Sequence, residues 1–441
     1  MLHCDTLIAP RWCAPVDADD QVLTGHAIAI NDGRILDVLP LPAARQKYQP
    51  SVFVERPDHL LIPGLINTHT HAAMSLMRGM ADDMTLRAWL NDAVWPIEKR
   101  WMSAELVRDG TELAIAEMIL SGTTCFSDQY FFPEIVAETA VDAQMRAMIG
   151  TPIIEFSTVW ADSATEYMDK AGDLVHDPYA AHPLISTCFA PHSTLAMTDE
   201  SFVALRVRAD QLDVPIQIHL HETTAEIDKA LADSGKRPIK RLEELGLVNS
   251  TLLAVHSVHL TDDEIAVFAE SGVTVAHCPK SNMKLASGIA PVASLRAAGV
   301  TVSIGTDSAA SNNSLDMLAE MRAAALLAKA SSGDASIVSA MDALRMATID
   351  GATALGIAQE TGSVTSGKWA DLACIDLSPL HSQPVYDPIS QLVYTARADQ
   401  VSDVWIAGRH QLENGILTHI NTANVLQRSR EWRDRFASTL A

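Results

Sequence analysis

The sequence is short of the features that would mark a secreted, membrane-spanning or nucleic-acid-binding chain. Its six cysteines (Cys4, Cys13, Cys125, Cys188, Cys278, Cys374) are scattered, with no Cys-x-x-Cys pair, which supports neither a disulfide framework nor a zinc ribbon. No uninterrupted apolar stretch approaches the ~18 residues that a membrane span needs. The start, Met1-Leu2-His3-Cys4-Asp5, lacks the basic residues and apolar run of a signal peptide, so a cytoplasmic protein with reduced thiols is expected. Positive charge is scarce: 32 Lys+Arg stand against 55 Asp+Glu, a net charge of −23. Such a surface repels DNA and RNA backbones, and neither nucleic acid nor membrane is an expected partner. The one basic run, Arg428, Arg430, Arg433 and Arg435, alternates with Glu431 and Asp434 and reads as the solvated face of a helix.

What is present is an ordinary folded composition, 48% hydrophobic and 20% charged over 441 residues, which excludes disorder as the dominant state. Three zones differ in pattern. Residues 1–60 read as short strands and turns, with Ala27–Ile30 and Ile35–Val38 joined as a hairpin through Asn31-Asp32-Gly33-Arg34. Residues 362–441 repeat that style at Ala370–Ile375 and Val404–Arg409 and end in a helix. Between them, residues 61–361 carry eight β-prone runs, at Leu61–Ile66, Thr123–Ser127, Met148–Ile154, Leu184–Phe189, Ile216–Leu220, Leu252–Val255, Val273–Ala276 and Val300–Ile304. Helix-like stretches such as Val107–Leu120 and Leu315–Ala330 alternate with them. That alternation predicts a (β/α)8 barrel, a fold of typically ~250 residues or more. An open doubly wound sheet is the rival, but no Gly-rich turn follows the first strand. The two flanking zones are expected to meet as one β-sandwich-like module.

A barrel does its chemistry at the C-terminal ends of its strands. The first run leads into His69-Thr70-His71, and residues two apart on a strand share a face, so both imidazoles can reach one metal ion. The fifth ends His219-Leu220-His221-Glu222, the sixth at His256 and the eighth at Gly305-Thr306-Asp307. Each alone has a plain structural reading, as a hydrogen-bonded core histidine or, for Asp307, a helix cap. Their conjunction at one end of successive strands points to a metal site with a position left open for water.

Pro63-Gly64-Leu65-Ile66-Asn67-Thr68-His69-Thr70-His71, His219-Leu220-His221-Glu222 and Gly305-Thr306-Asp307 together resemble the amidohydrolase superfamily. More narrowly, the chain is similar to its 5′-methylthioadenosine/S-adenosylhomocysteine deaminase group, over nearly the whole length. The resemblance implies His69, His71, His219 and Asp307 as ligands to one Zn²⁺ per subunit, and leaves His221 a supporting or packing role. Three imidazoles and a carboxylate also accept iron or manganese. No lysine lies between Lys99 and Lys170 or between Lys170 and Lys229, so the fourth strand offers none to bridge a second metal.

The resemblance further implies that Glu222 protonates the ring nitrogen of an adenine-type substrate. Asp307 moves a proton from the attacking water to the leaving ammonia, and His256 stabilises the tetrahedral centre. Glu98 and His192 match residues that contact the nucleoside, and Ser311 is expected to face the purine. A homo-oligomer is the family's habit. One departure concerns specificity: members that accept S-adenosylhomocysteine carry an arginine where this chain has Thr151-Pro152, and no arginine follows until Arg206. A hydroxyl replaces bidentate capture of a carboxylate poorly, so adenosine-type substrates with uncharged 5′ tails are expected. The alternative is a deaminase or chlorohydrolase for a ribose-free ring such as guanine, pterin, cytosine or a triazine, which would have no use for Glu98 and His192.

Overall fold

The computed structural model describes residues 1–440. Eight parallel strands stand in chain order around a barrel: Leu65–Thr70, Thr123–Gln129, Arg146–Ile153, Ile185–Pro191, Ile216–Leu220, Leu252–His256, Thr274–His277 and Val302–Ile304. Most of their residues are buried on both faces, which is why they read as near-continuous apolar runs. The first and last strands meet through a few specific bonds. Asp307 N–H donates to the His69 carbonyl at 3.0 Å. The Asn67 amide bridges Thr306 in both directions, accepting from its N–H at 2.9 Å and donating to its hydroxyl at 2.7 Å. Gly305 sits at this seam because a Cβ there would lie 2.9 Å from the His69 Cβ.

Local chemistry sets the helix limits. Ser103 caps Ala104–Leu120, Thr198 caps Asp199–Leu212 and Asp316 caps Met317–Ser332, each side chain accepting a backbone N–H of the first turn. A reciprocal Thr261–Glu264 box opens Asp262–Ser271.

The two ends of the chain do meet. Leu2–Cys13 pairs in parallel with Tyr48–Pro63, which in turn pairs antiparallel with Leu372–Asp376, within one nine-stranded mixed sheet. Successive residues of the first strand alternate between two apolar clusters, Ile8 in one and Leu7 and Ala9 in the other, so both faces of the sheet are covered.

The structure differs from the sequence expectation in two places. The run Leu61–Ile66 is divided between the two sheets: the end sheet runs to Pro63 and the barrel starts at Leu65. Gly64 is the break, because a Cβ there would lie 2.1 Å from the Thr124 hydroxyl. The arginine run near the end is also only partly solvated. In helix Thr422–Leu440, Arg428 pairs with Asp109 and Glu112, and Arg435 with Glu105, while Arg433 stays at the surface beside Asp434. Helix Pro388–Tyr394 likewise packs on the barrel, Arg322 Nε donating to the Val393 carbonyl at 3.1 Å. Residues 362–440 are therefore not confined to the end sheet.

A buried ion pair joins the two parts. Arg146 Nε donates to Asp371 Oδ2 at 2.8 Å, and Asp371 Oδ1 also accepts from the Ala407 N–H at 2.7 Å. Asp371→Ala leaves a guanidinium buried without its counter-charge, and such losses typically cost about 3–5 kcal/mol. A lowered midpoint of urea unfolding, with unchanged turnover of the folded enzyme, is the expected result.

Candidate active site

The barrel brings the polar strand ends together. His69 and His71 leave the first strand with ring centroids 4.8 Å apart, and His69 lies equally close, at 4.8 Å, to His219 from the fifth. Coordinating atoms of His69, His71 and His219 all fall within 4.8 Å of one another. Asp307 Oδ1 joins them, 3.3 Å from His71 Nε2 and 3.6 Å from His69 Nε2.

Hydrogen bonds behind the cluster decide what it can hold. His71 Nδ1 lies 2.5 Å from the Gln129 carbonyl and His219 Nδ1 lies 2.7 Å from the His192 carbonyl. A carbonyl only accepts, so each ring carries its proton on Nδ1 and turns the Nε2 lone pair inward. His219 Nε2 then faces His69 Nε2 at 3.1 Å, and His71 Nε2 faces a carboxylate. Lone pairs converging on a carboxylate oxygen are favourable only around a cation, and this donor set suits a transition metal such as zinc. His69 differs from the other two: its Nδ1 is buried and has no partner among the described residues.

Electrostatics keep the donors available. Burial pushes His69 down to about 4, and burial with the neighbouring imidazoles holds His219 well below the usual range. Both stay neutral at pH 7, as metal ligation requires. Burial opposes ionisation of Asp307, but the neighbouring imidazoles of His69, His71 and His256 outweigh it and hold the carboxyl well below the ordinary range. The other oxygen of Asp307 accepts from Ser281 Oγ at 2.6 Å and Ser311 Oγ at 2.8 Å.

The backbone is strained where the site is built. His221, His256 and Asp307 all have positive φ, at 54°, 70° and 60°. Non-glycine residues rarely occupy this region, and such outliers cluster at functional sites.

Around the cluster, His256 stacks near His219 with centroids 5.5 Å apart. Its Nδ1 lies 2.9 Å from Asn282 Oδ1, and its Nε2 lies 3.8 Å from Glu222 Oε2. Glu222 Oε1 accepts from Ser287 Oγ at 3.1 Å. His192 is exposed, with its ring 5.0 Å from that of His219. Glu98 reaches the site from the short helix Trp95–Trp101 in the long connection after the first strand, its Oε1 accepting from Tyr130 Oη at 2.6 Å. Tyr130 in turn stands 6.3 Å from His71, ring to ring.

One expected position, Ser311, takes a different form, and His221 lies outside the donor set. His221 turns away from the cluster: its Nδ1 lies 3.2 Å from the His259 carbonyl, and its Nε2 accepts from the Ile239 N–H at 3.3 Å. Ser311 is 1% exposed and its hydroxyl is committed to Asp307 and Ser308, so it backs the carboxylate and turns no free face to a pocket. Tyr130, Ser281, Ser287, Asn282 and the Gln129 carbonyl are supporting groups that the sequence reading did not find. Asn282 and Ser281 lie in the helix just past the seventh strand, and Tyr130 follows the second, so position beyond a strand end was the available signal.

Residues 60–410 match the amidohydrolase family. The chain belongs to that family. It is a metal-dependent hydrolase of the kind its motifs implied. Among its relatives, the 5-methylthioadenosine/S-adenosylhomocysteine deaminase of Teredinibacter turnerae is 44% identical over 434 residues, covering 98% of each chain. The 5′-deoxyadenosine deaminase of Methanopyrus kandleri is 40% identical and covers 95% of this amidohydrolase and 97% of its own length. A crystal structure of an adenosine deaminase from Xanthomonas campestris with bound zinc aligns with a TM-score of 0.98 at 47% identity, over 99% of both chains. Among the described residues of this amidohydrolase, no helix is long and apolar enough to cross a membrane.

Proposed function

We propose that this amidohydrolase removes the 6-amino group of adenosine-type nucleosides, binding one Zn²⁺ through His69, His71, His219 and Asp307. The substrates are those with uncharged 5′ tails: 5′-methylthioadenosine foremost, then 5′-deoxyadenosine and adenosine. A metal ion in this site supplies a hydroxide nucleophile near neutral pH, lowering the pKa of water from ~15.7 to ~7. Glu222 protonates the ring nitrogen next to the attacked carbon, Asp307 passes a proton from the nucleophile to the departing amine, and His256 holds the tetrahedral centre. The names of relatives about 40% identical over nearly their full length support the reaction class.

The observation that carries the nucleoside reading is Glu98. It is a half-buried carboxyl, held by Tyr130 beside His71, and among the described residues no basic side chain is bonded to it. An acceptor of that kind suits the paired hydroxyls of a ribose, and a bare ring would leave it unused. His192, exposed beside His219, stands where it too can meet the nucleoside.

Glu98→Ala is expected to raise KM for ribonucleosides on the order of tenfold or more, with a smaller change in kcat. Unchanged KM would remove the ribose role. A pH profile adds a second readout. Burial pushes Glu98 up to about 7, so in the free protein the carboxylate that accepts from ribose hydroxyls forms as pH rises through that value. KM for 5′-methylthioadenosine should therefore fall as pH rises from 6 to 8, and the dependence should flatten in Glu98→Gln.

A further inference from the structure

Helix Thr422–Leu440 takes no part in the proposed chemistry, yet it is tied to the segment that carries Glu98. Arg428, Trp432 and Arg435 recur at i, i+4 and i+7 and so share one face of it. Helix Ala104–Leu120 presents Glu105, Asp109 and Glu112 at the same spacing. The two faces interlock: Trp432 Nε1 donates to Asp109 Oδ2 at 2.8 Å, Arg428 pairs with Asp109 and Glu112, and Arg435 lies 3.3 Å from Glu105. Trp432 is only 2% exposed and anchors the contact.

From this anchor the contact extends towards the site. The Trp432 ring meets Trp101 edge-on, with centroids 6.4 Å apart and planes at 89°. Trp101 Nε1 donates to Thr439 Oγ1 at 2.9 Å. Trp101 ends the short helix Trp95–Trp101, and Glu98 lies in that helix one turn earlier. The helix begins from a π-turn at Leu90–Val94, exposes Trp95 and buries only Ile97. The Glu98–Tyr130 bond ties it on the site side and the Trp101 contacts on the other.

We infer that Trp432 and Thr439 are positioning residues for substrate binding, acting through Trp101 to set where the Glu98 carboxylate stands. The inference rests on the ribose role proposed for Glu98. A displacement of about 1 Å in a group that orients substrate is enough to cost one to two orders of magnitude.

The test uses full-length, zinc-loaded protein and steady-state ammonia release from 5′-methylthioadenosine. Trp432→Ala is expected to raise KM about tenfold while kcat and zinc content stay within about twofold, and Trp432→Phe, which keeps most of the ring, to recover most of the loss. In a Glu98→Ala background, Trp432→Ala should change KM no further. Should Trp432→Ala fail to fold, Trp101→Phe and Thr439→Val, which remove one hydrogen bond, carry the same test with an expected rise of about threefold. Wild-type KM in the folded variants, or losses additive with Glu98→Ala, would overturn the positioning role alone. Glu98→Ala with wild-type KM would sink both the ribose role and this inference.

Discussion

Glu222→Gln is expected to retain a full complement of metal and to lose about 10²–10⁴-fold in kcat. Glutamine preserves the shape of the side chain and can still accept from Ser287 Oγ, now 3.1 Å from Oε1. It cannot deliver a proton to a ring nitrogen. Glu222 lies outside the converging donors, three residues beyond His219, and its Oε2 is 3.8 Å from His256 Nε2, too far for a hydrogen bond. Its removal should leave the ligand atoms where they are. Metal analysis beside ammonia release separates the two effects. Near-normal turnover would end the proton-transfer role, and lost metal would make Glu222 part of the binding site.

Asp307→Asn is expected to weaken metal retention and to lower turnover on the order of 10²–10⁴-fold even when metal is supplied in excess. Three imidazoles remain, so some metal still binds. The amide loses the negative charge that the inward lone pairs surround and has no basic oxygen to take a proton. Its NH₂ would also meet donors: Ser281 and Ser311 hydroxyls both point at Oδ2, and the Ser308 N–H donates to Oδ1 at 2.8 Å. One of these bonds must break or reverse. Wild-type turnover in the metal-saturated variant would move the proton transfer to another group.

Much of this site was legible because its signals are short-range. The period of two on a strand put His69 and His71 on one face, and the polar residues beyond successive apolar runs fell at one end of the barrel. The helix bounds were near, Val107–Leu120 against Ala104–Leu120 and Leu315–Ala330 against Met317–Ser332, because a helical pattern is carried by neighbouring residues. Other features depend on contacts far apart in sequence. The carbonyls of Gln129 and His192 set the imidazole tautomers, but a carbonyl carries no mark in a sequence, since every residue has one. The break at Gly64 comes from a close approach to Thr124, sixty residues on. Ser311 looked like a group open to substrate, and only the positive φ of Asp307 and the tight turn after it bring its hydroxyl behind the carboxylate. The arginines of the last helix alternate with acids along the chain, yet their partners are the acids of Ala104–Leu120, more than three hundred residues away.

The most direct test of the proposed activity is ammonia release by the zinc-loaded protein on a panel measured side by side. It comprises 5′-methylthioadenosine, 5′-deoxyadenosine, adenosine, S-adenosylhomocysteine, guanine and cytosine, with chloride release followed for a chlorotriazine. The highest kcat/KM on the uncharged adenosine derivatives is the expected result. Best turnover on S-adenosylhomocysteine would keep the reaction and overturn the specificity drawn from Thr151-Pro152. Inactivity on every nucleoside, with turnover of a ribose-free ring, would contradict the proposed function at its centre.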